Sequence, residues 1–69
     1  MEIAENIASR LKSLRNEHSL TQQQVANAIN VSRSAYSQYE MAIKQPTTET
    51  LLKLADFYHT TIDHLVGRY

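Results

Sequence analysis

Ser32, Arg33, Ser34, Ser37 and Gln38 form a short polar run in the middle of a 69-residue chain. Their types suit one kind of chemistry. A guanidinium pairs bidentately with guanine, a carboxamide with adenine, and a serine hydroxyl with either. No acid stands among them, and none occurs from His18 to Tyr39. Short donors and acceptors with one forked cation fit base edges and phosphate oxygens. Catalytic and metal chemistry find no such support. His18, His59 and His64 are scattered, and His59 and His64, five residues apart, do not share a helix face. With no cysteine there is no thiolate zinc or redox site. No glycine-rich loop cradles a phosphate cofactor, and no serine sits in a strained nucleophile turn. An enzyme, a metal, a cofactor or another small-molecule ligand is therefore not expected.

The elements that must position the polar run are helices. One glycine and one proline leave little punctuation, and β-branched alternation is nowhere sustained. Ile3, Ile7, Leu11 and Leu14 draw an apolar stripe that predicts a first helix to about His18. Thr21 opens a second helix through Ile29, with Gln24 placed three residues on as in a capping box. Val25, Ala26 and Ile29 face inward, and Asn30 tolerates the left-handed conformation at the helix end. Ser32 caps a third helix through Met41, with Ala35, Tyr36 and Tyr39 inward. After Pro46, Thr47 or Thr48 caps a fourth helix with Leu51, Leu54, Ala55 and Tyr58 inward and Leu52 and Phe57 on the flanks. Thr61 caps a last helix carrying Ile62, Leu65 and Val66. The expectation is an all-α, compact five-helix bundle forming a single domain over residues 1–69. Such a short chain buries only about 60% of its unfolded surface, so its stability should be a few kcal/mol.

Two short helices joined by a tight turn at Asn30 and Val31 have the organisation of a helix-turn-helix, spanning about residues 22–41. The chain here resembles the Cro and phage-repressor type of helix-turn-helix protein, the XRE family, with its lambda-repressor-like DNA-binding domain. The resemblance runs from about Leu11 to Leu65. It rests on Leu20-Thr21-Gln22, Val25-Ala26, Val31-Ser32, Tyr39-Glu40, Pro46-Thr47, Leu51 to Ala55, and Thr61-Ile62-Asp63 with Leu65. It implies that Gln22 clasps a phosphate and braces the third helix. By the same resemblance Arg33, Ser34 and Gln38 read base edges in the major groove, Ser32 and Ser37 contact phosphate or base, and Lys44 grips the backbone. Arg15 and Glu40 match an ion pair that ties the first helix to the third. The family usually has glycine where this chain has Asn30, Ala42 and His59. Positive φ at Ala42 and His59 costs of order 1 kcal/mol each, so the loop carrying Lys44 is expected to differ.

The resemblance implies a sequence-specific DNA-binding regulator, a repressor of bacterial or phage type, acting in the cytoplasm. One recognition helix reads few base pairs, so useful affinity needs a homodimer on a two-fold symmetric operator. Ile62, Leu65, Val66 and Tyr69 are candidate subunit contacts, with core closure as the plainer role. The alternative is an antitoxin-like protein-interaction module, which would have no need of an acid-free polar face. Nothing spans a membrane, and the acidic N-terminus is no signal peptide. Seven basic and seven acidic residues cancel, but not uniformly along the chain. The acids other than Glu40 are Glu2, Glu5, Glu17, Glu49, Asp56 and Asp63, near the two ends. The sum predicts modest non-specific affinity rather than no affinity for nucleic acid.

Overall fold

The computed structural model describes residues 2–67. Five helices follow one another: α1 (Glu2–Glu17), α2 (Gln22–Ala28), α3 (Arg33–Glu40), α4 (Thr48–Phe57) and α5 (Ile62–Val66). Among the described residues there is no strand, and no helix is long and apolar enough to cross a membrane.

Hydroxyl caps start α2 to α5. Thr21 Oγ1 accepts from the Gln24 amide at 3.1 Å while Gln24 Oε1 accepts from the Thr21 amide at 2.8 Å, a complete capping box. Ser32 Oγ accepts from the Ala35 amide, Thr47 Oγ1 from that of Thr50, and Thr61 Oγ1 from that of His64. Each satisfies a donor that the first turn would otherwise leave open.

Helix ends follow one scheme as well. Ser19, Asn30, Ala42 and His59 all have left-handed φ, between 55° and 61°. Each follows the C-cap of its helix, and the amide of the next residue reaches back to a carbonyl five residues earlier. The pairs are Leu20 to Arg15, Val31 to Ala26, Ile43 to Gln38 and Thr60 to Ala55, at 2.8–3.0 Å. This is the Schellman termination, made four times without glycine. The loop around Ala42 therefore keeps the left-handed turn, and α3 stops at Glu40 with Met41 as its C-cap.

The core joins all five helices. Ile7, Leu11, Val25, Ala26, Ile29, Tyr36, Leu54 and Leu65 are almost completely buried. α1 packs against α3 and α5, α2 against α3, and α4 against α5. Leu65, proposed from the sequence as a subunit contact, is 0% exposed. A side chain with no open surface cannot meet a partner without opening the core, so its role is closure. Ile62 and Val66 are half-buried and pack on the same cluster. Tyr69 lies outside the described residues. Leu52 and Phe57, on the flanks of α4, are instead exposed.

Candidate nucleic-acid interface

The polar run occupies the first turn and outer face of α3. At about 100° per residue, Arg33, Ser37, Ser34 and Gln38 follow one another around an arc of roughly 140°. Tyr36 and Tyr39 occupy the opposite side and are buried, their rings meeting edge to face at 6.2 Å. Two large anchors hold α3 from beneath, and its outer face stays free. Arg33 and Ser34 are exposed, and Ser37 and Gln38 are half-buried.

The seven expected contact residues differ in how far their side chains are already committed. Arg33, Ser34, Gln38 and the exposed Lys44 have no side-chain partner among the described residues. Ser32 Oγ accepts the capping bond from the Ala35 amide at 3.0 Å, which leaves its O–H able to donate. Ser37 Oγ donates to Met41 Sδ at 3.6 Å. Gln22 donates from Nε2 to Glu40 Oε1 at 3.1 Å, so its amide braces α3 against α2. The two glutamines that follow it are spent locally, Gln23 on Asn27 Oδ1 and Gln24 on Thr21.

Behind this face lies a buried polar cluster centred on Glu40, which is only 3% exposed. Its carboxylate accepts from Arg15 Nε at 2.7 Å, Arg15 Nη2 at 3.1 Å, Gln22 Nε2 and Tyr36 Oη at 2.5 Å. Arg15 Nη1 also donates to the Leu20 carbonyl at 3.0 Å. One carboxylate thus ties α1, α2 and α3 together. Burial pushes its pKa up, and the hydrogen bonds from Arg15, Tyr36 and Gln22 outweigh that and hold it below the ordinary carboxylate value. The bond to Glu40 raises the Arg15 guanidinium, against the opposing effect of burial. Burial, then the Glu40 carboxylate, push the Tyr36 phenol far up. The Tyr36 bond was missed in the sequence, although Tyr36 and Glu40 stand one helical turn apart, the spacing at which side chains meet. Gln22 had no comparable local mark.

His18 and His59 are placed structurally. His18 Nδ1 lies 2.8 Å from the Leu14 carbonyl, and its ring packs 5.2 Å from that of Tyr58. His59 holds the left-handed position after α4. Among the described residues Tyr58 Oη is buried without a hydrogen-bond partner, and burial raises its pKa to about 12.

A capped α2, a left-handed turn at Asn30 and an α3 with a bare polar face define a helix-turn-helix protein. The helix-turn-helix family model matches residues 11–65, and the chain belongs to that family, the XRE type. It is 35% identical over 63 residues to the HTH-type transcriptional regulator ImmR of Bacillus subtilis, covering 91% of this chain and 50% of that protein. It is 42% identical over 60 residues to the cryptic phage CTXphi transcriptional repressor RstR of Vibrio cholerae, covering 87% and 54%. The crystal structure of a transcriptional regulator from Listeria innocua matches with a TM-score of 0.85 at 36% identity, covering 88% of this chain and 57% of that one. The chain spans about half the length of the curated relatives it matches.

Proposed function

We propose that this chain is a sequence-specific DNA-binding transcriptional regulator, a repressor, that reads the major groove with α3. The observation that carries the reading is the α3 face: polar, free of acids and, among the described residues, unpartnered at Arg33, Ser34 and Gln38. A solvated helix face of ordinary composition would mix both signs of charge. Arg33 and Gln38 read base edges, and Ser34 and Ser37 let the helix approach the groove floor closely. Gln22 and Lys44 hold phosphates, Gln22 through the second amide hydrogen, which Glu40 does not take. The chain acts as a homodimer on a two-fold symmetric operator, because one α3 reads too few base pairs for useful affinity. The names of the relatives support this reading, two of them as transcriptional regulators and one as a phage repressor.

Selection of bound sequences from random duplex DNA tests it, repeated with Arg33→Ala and Gln38→Ala. Recovery of a two-fold symmetric motif that each variant relaxes at one position is the expected result. Failure to bind any duplex at about 50 mM salt, where electrostatic attraction is strong, would defeat it.

A further inference from the structure

Three of the four Schellman terminations place an apolar residue after the left-handed position. In this motif that residue ordinarily packs against the side chain three positions before the C-cap or its neighbour. Leu20 and Val31 pack on the core. Ile43 has no core to enter: it is 65% exposed, among the most exposed large apolar residues described. The residue it is turned back onto is also unusual, because it is Gln38. The Ile43 amide donates to the Gln38 carbonyl at 3.0 Å, and the Lys44 amide reaches the same oxygen at 3.4 Å. The loop is thus fastened beside a side chain that has no partner among the described residues. Met41, the other exposed apolar residue here, turns differently. It accepts from Ser37 and lines a groove against α1 with Ser9 and Lys12, in which Ile43 takes no part.

We propose that Ile43 and Gln38 form one composite reader of DNA: Gln38 takes the N6 and N7 edge of an adenine while Ile43 packs on the 5-methyl group of a thymine beside it. This rests on the reading of α3 as the major-groove helix. In that groove the thymine methyl is the apolar feature that an aliphatic side chain recognises. Continuity with the reading face favours DNA as the occupant. Ile43 is tied by its backbone to Gln38 and followed by the unpartnered cation Lys44, and the sole acid between His18 and Thr48 is the buried Glu40. A second protein subunit is the competing occupant.

The test uses the full chain and a duplex carrying the selected motif, with each thymine replaced singly by deoxyuridine, which removes the methyl group alone. Wild-type protein is expected to lose about three- to fivefold in affinity at one thymine adjoining the position that Gln38→Ala relaxes. Ile43→Ala is expected to bind the thymine and deoxyuridine duplexes equally, and Ile43→Val to keep most of the discrimination. Because Ile43 is exposed, the thermal midpoints of both variants should match wild type. Indifference of the wild type to every methyl group, or discrimination unchanged in Ile43→Ala, overturns the proposal while leaving α3 as the reader. So does an Ile43→Ala variant that dimerises more weakly and loses equally on both duplexes, which assigns Ile43 to the subunit contact. A chain that recovers no motif at all removes the major-groove reading, and the proposal with it.

Discussion

Arg15 and Glu40, 25 residues apart in the chain, meet through two parallel hydrogen bonds of 2.7 and 3.1 Å. The guanidinium is 19% exposed and the carboxylate 3%, so this pair lies in a far drier setting than the exposed Glu49 and Lys53 pair at 3.9 Å. Surface pairs contribute about 0–1 kcal/mol, whereas removing one partner of a buried pair leaves an uncompensated charge and costs about 3–5 kcal/mol.

Glu40→Ala should therefore remove most of the stability of so small a domain. Tyr36 Oη and Gln22 Nε2 would lose their acceptor along with Arg15. Thermal unfolding followed by circular dichroism should show a broad transition near or below room temperature. A midpoint equal to wild type would defeat the claim. Glu40→Gln keeps the volume and one oxygen, and should lie between the two.

The same carboxylate sets the acid limb of stability. Its folded pKa lies below the ordinary value of 4.5, so the unfolded chain takes up the proton first as pH falls. The stabilisation is complete above the unfolded value and is lost as pH drops through 4.5 toward the folded value. Urea midpoints measured from roughly pH 3 to 7 should decline below about 4.5. In Glu40→Gln that decline should flatten, even though its plateau is lower.

Much of this architecture was legible in the residue types. Thr21, Ser32 and Thr61 mark helix starts because a hydroxyl there has a defined acceptor role, and all three cap as expected, while of the two candidates Thr47 and Thr48 it is Thr47 that caps α4. Asn30 marks a left-handed end for a similar reason. Ala42 and His59 were suspect only through the family pattern, and Ser19 carried no mark, since nothing in its side chain favours positive φ. Leu65 shows a different limit. Periodicity puts it on an apolar face, but whether that face meets the core or another subunit depends on what α1 and α4 bring against it. The reading face was legible as composition, whereas its division into committed and free side chains needed three dimensions.

Ala42→Gly and His59→Gly should each stabilise the fold. A left-handed alanine or histidine costs about 1–2 kcal/mol, and glycine gives back about 0.4–1 kcal/mol through the freer unfolded chain. The net gain is on the order of 0.5–1 kcal/mol each, readable as a rise in the urea midpoint. Asn30→Gly should gain less, because asparagine already tolerates the conformation. Gly67→Ala should go the other way. At φ 82° its Cβ would fall 2.8 Å from Asn6 Nδ2, the group that donates to the Val66 carbonyl at 3.1 Å.

Tyr58→Phe should leave stability unchanged or raise it by about 1 kcal/mol, since it removes a buried hydroxyl that lacks a partner. The ring contacts with His18 and Phe57 remain. Alkaline behaviour supplies a second readout. With the folded phenol raised to about 12, the unfolded chain ionises first, and this contribution is lost as pH rises from about 10 through 12. The variant should lose less over that interval than wild type. A loss of more than about 1 kcal/mol at neutral pH would reveal a partner for the hydroxyl.

Salt dependence separates the two kinds of DNA contact proposed above. With cations and acids balanced overall, and Arg33 and Lys44 as the cations beside the face that lack a partner among the described residues, each subunit should release only about two to four counterions. Lys44→Ala removes a phosphate contact. It should weaken binding by a similar factor on the selected motif and on scrambled duplex, and lower the slope of log K against log salt by about one. Arg33→Ala should instead cost about 1–3 kcal/mol on the motif alone and erase the preference for guanine at its position. Fluorescence anisotropy at four or five salt concentrations measures both quantities. Equal losses on motif and scrambled duplex for Arg33→Ala would move Arg33 from the base edges to the backbone, and would leave Gln38 as the principal source of sequence preference on α3.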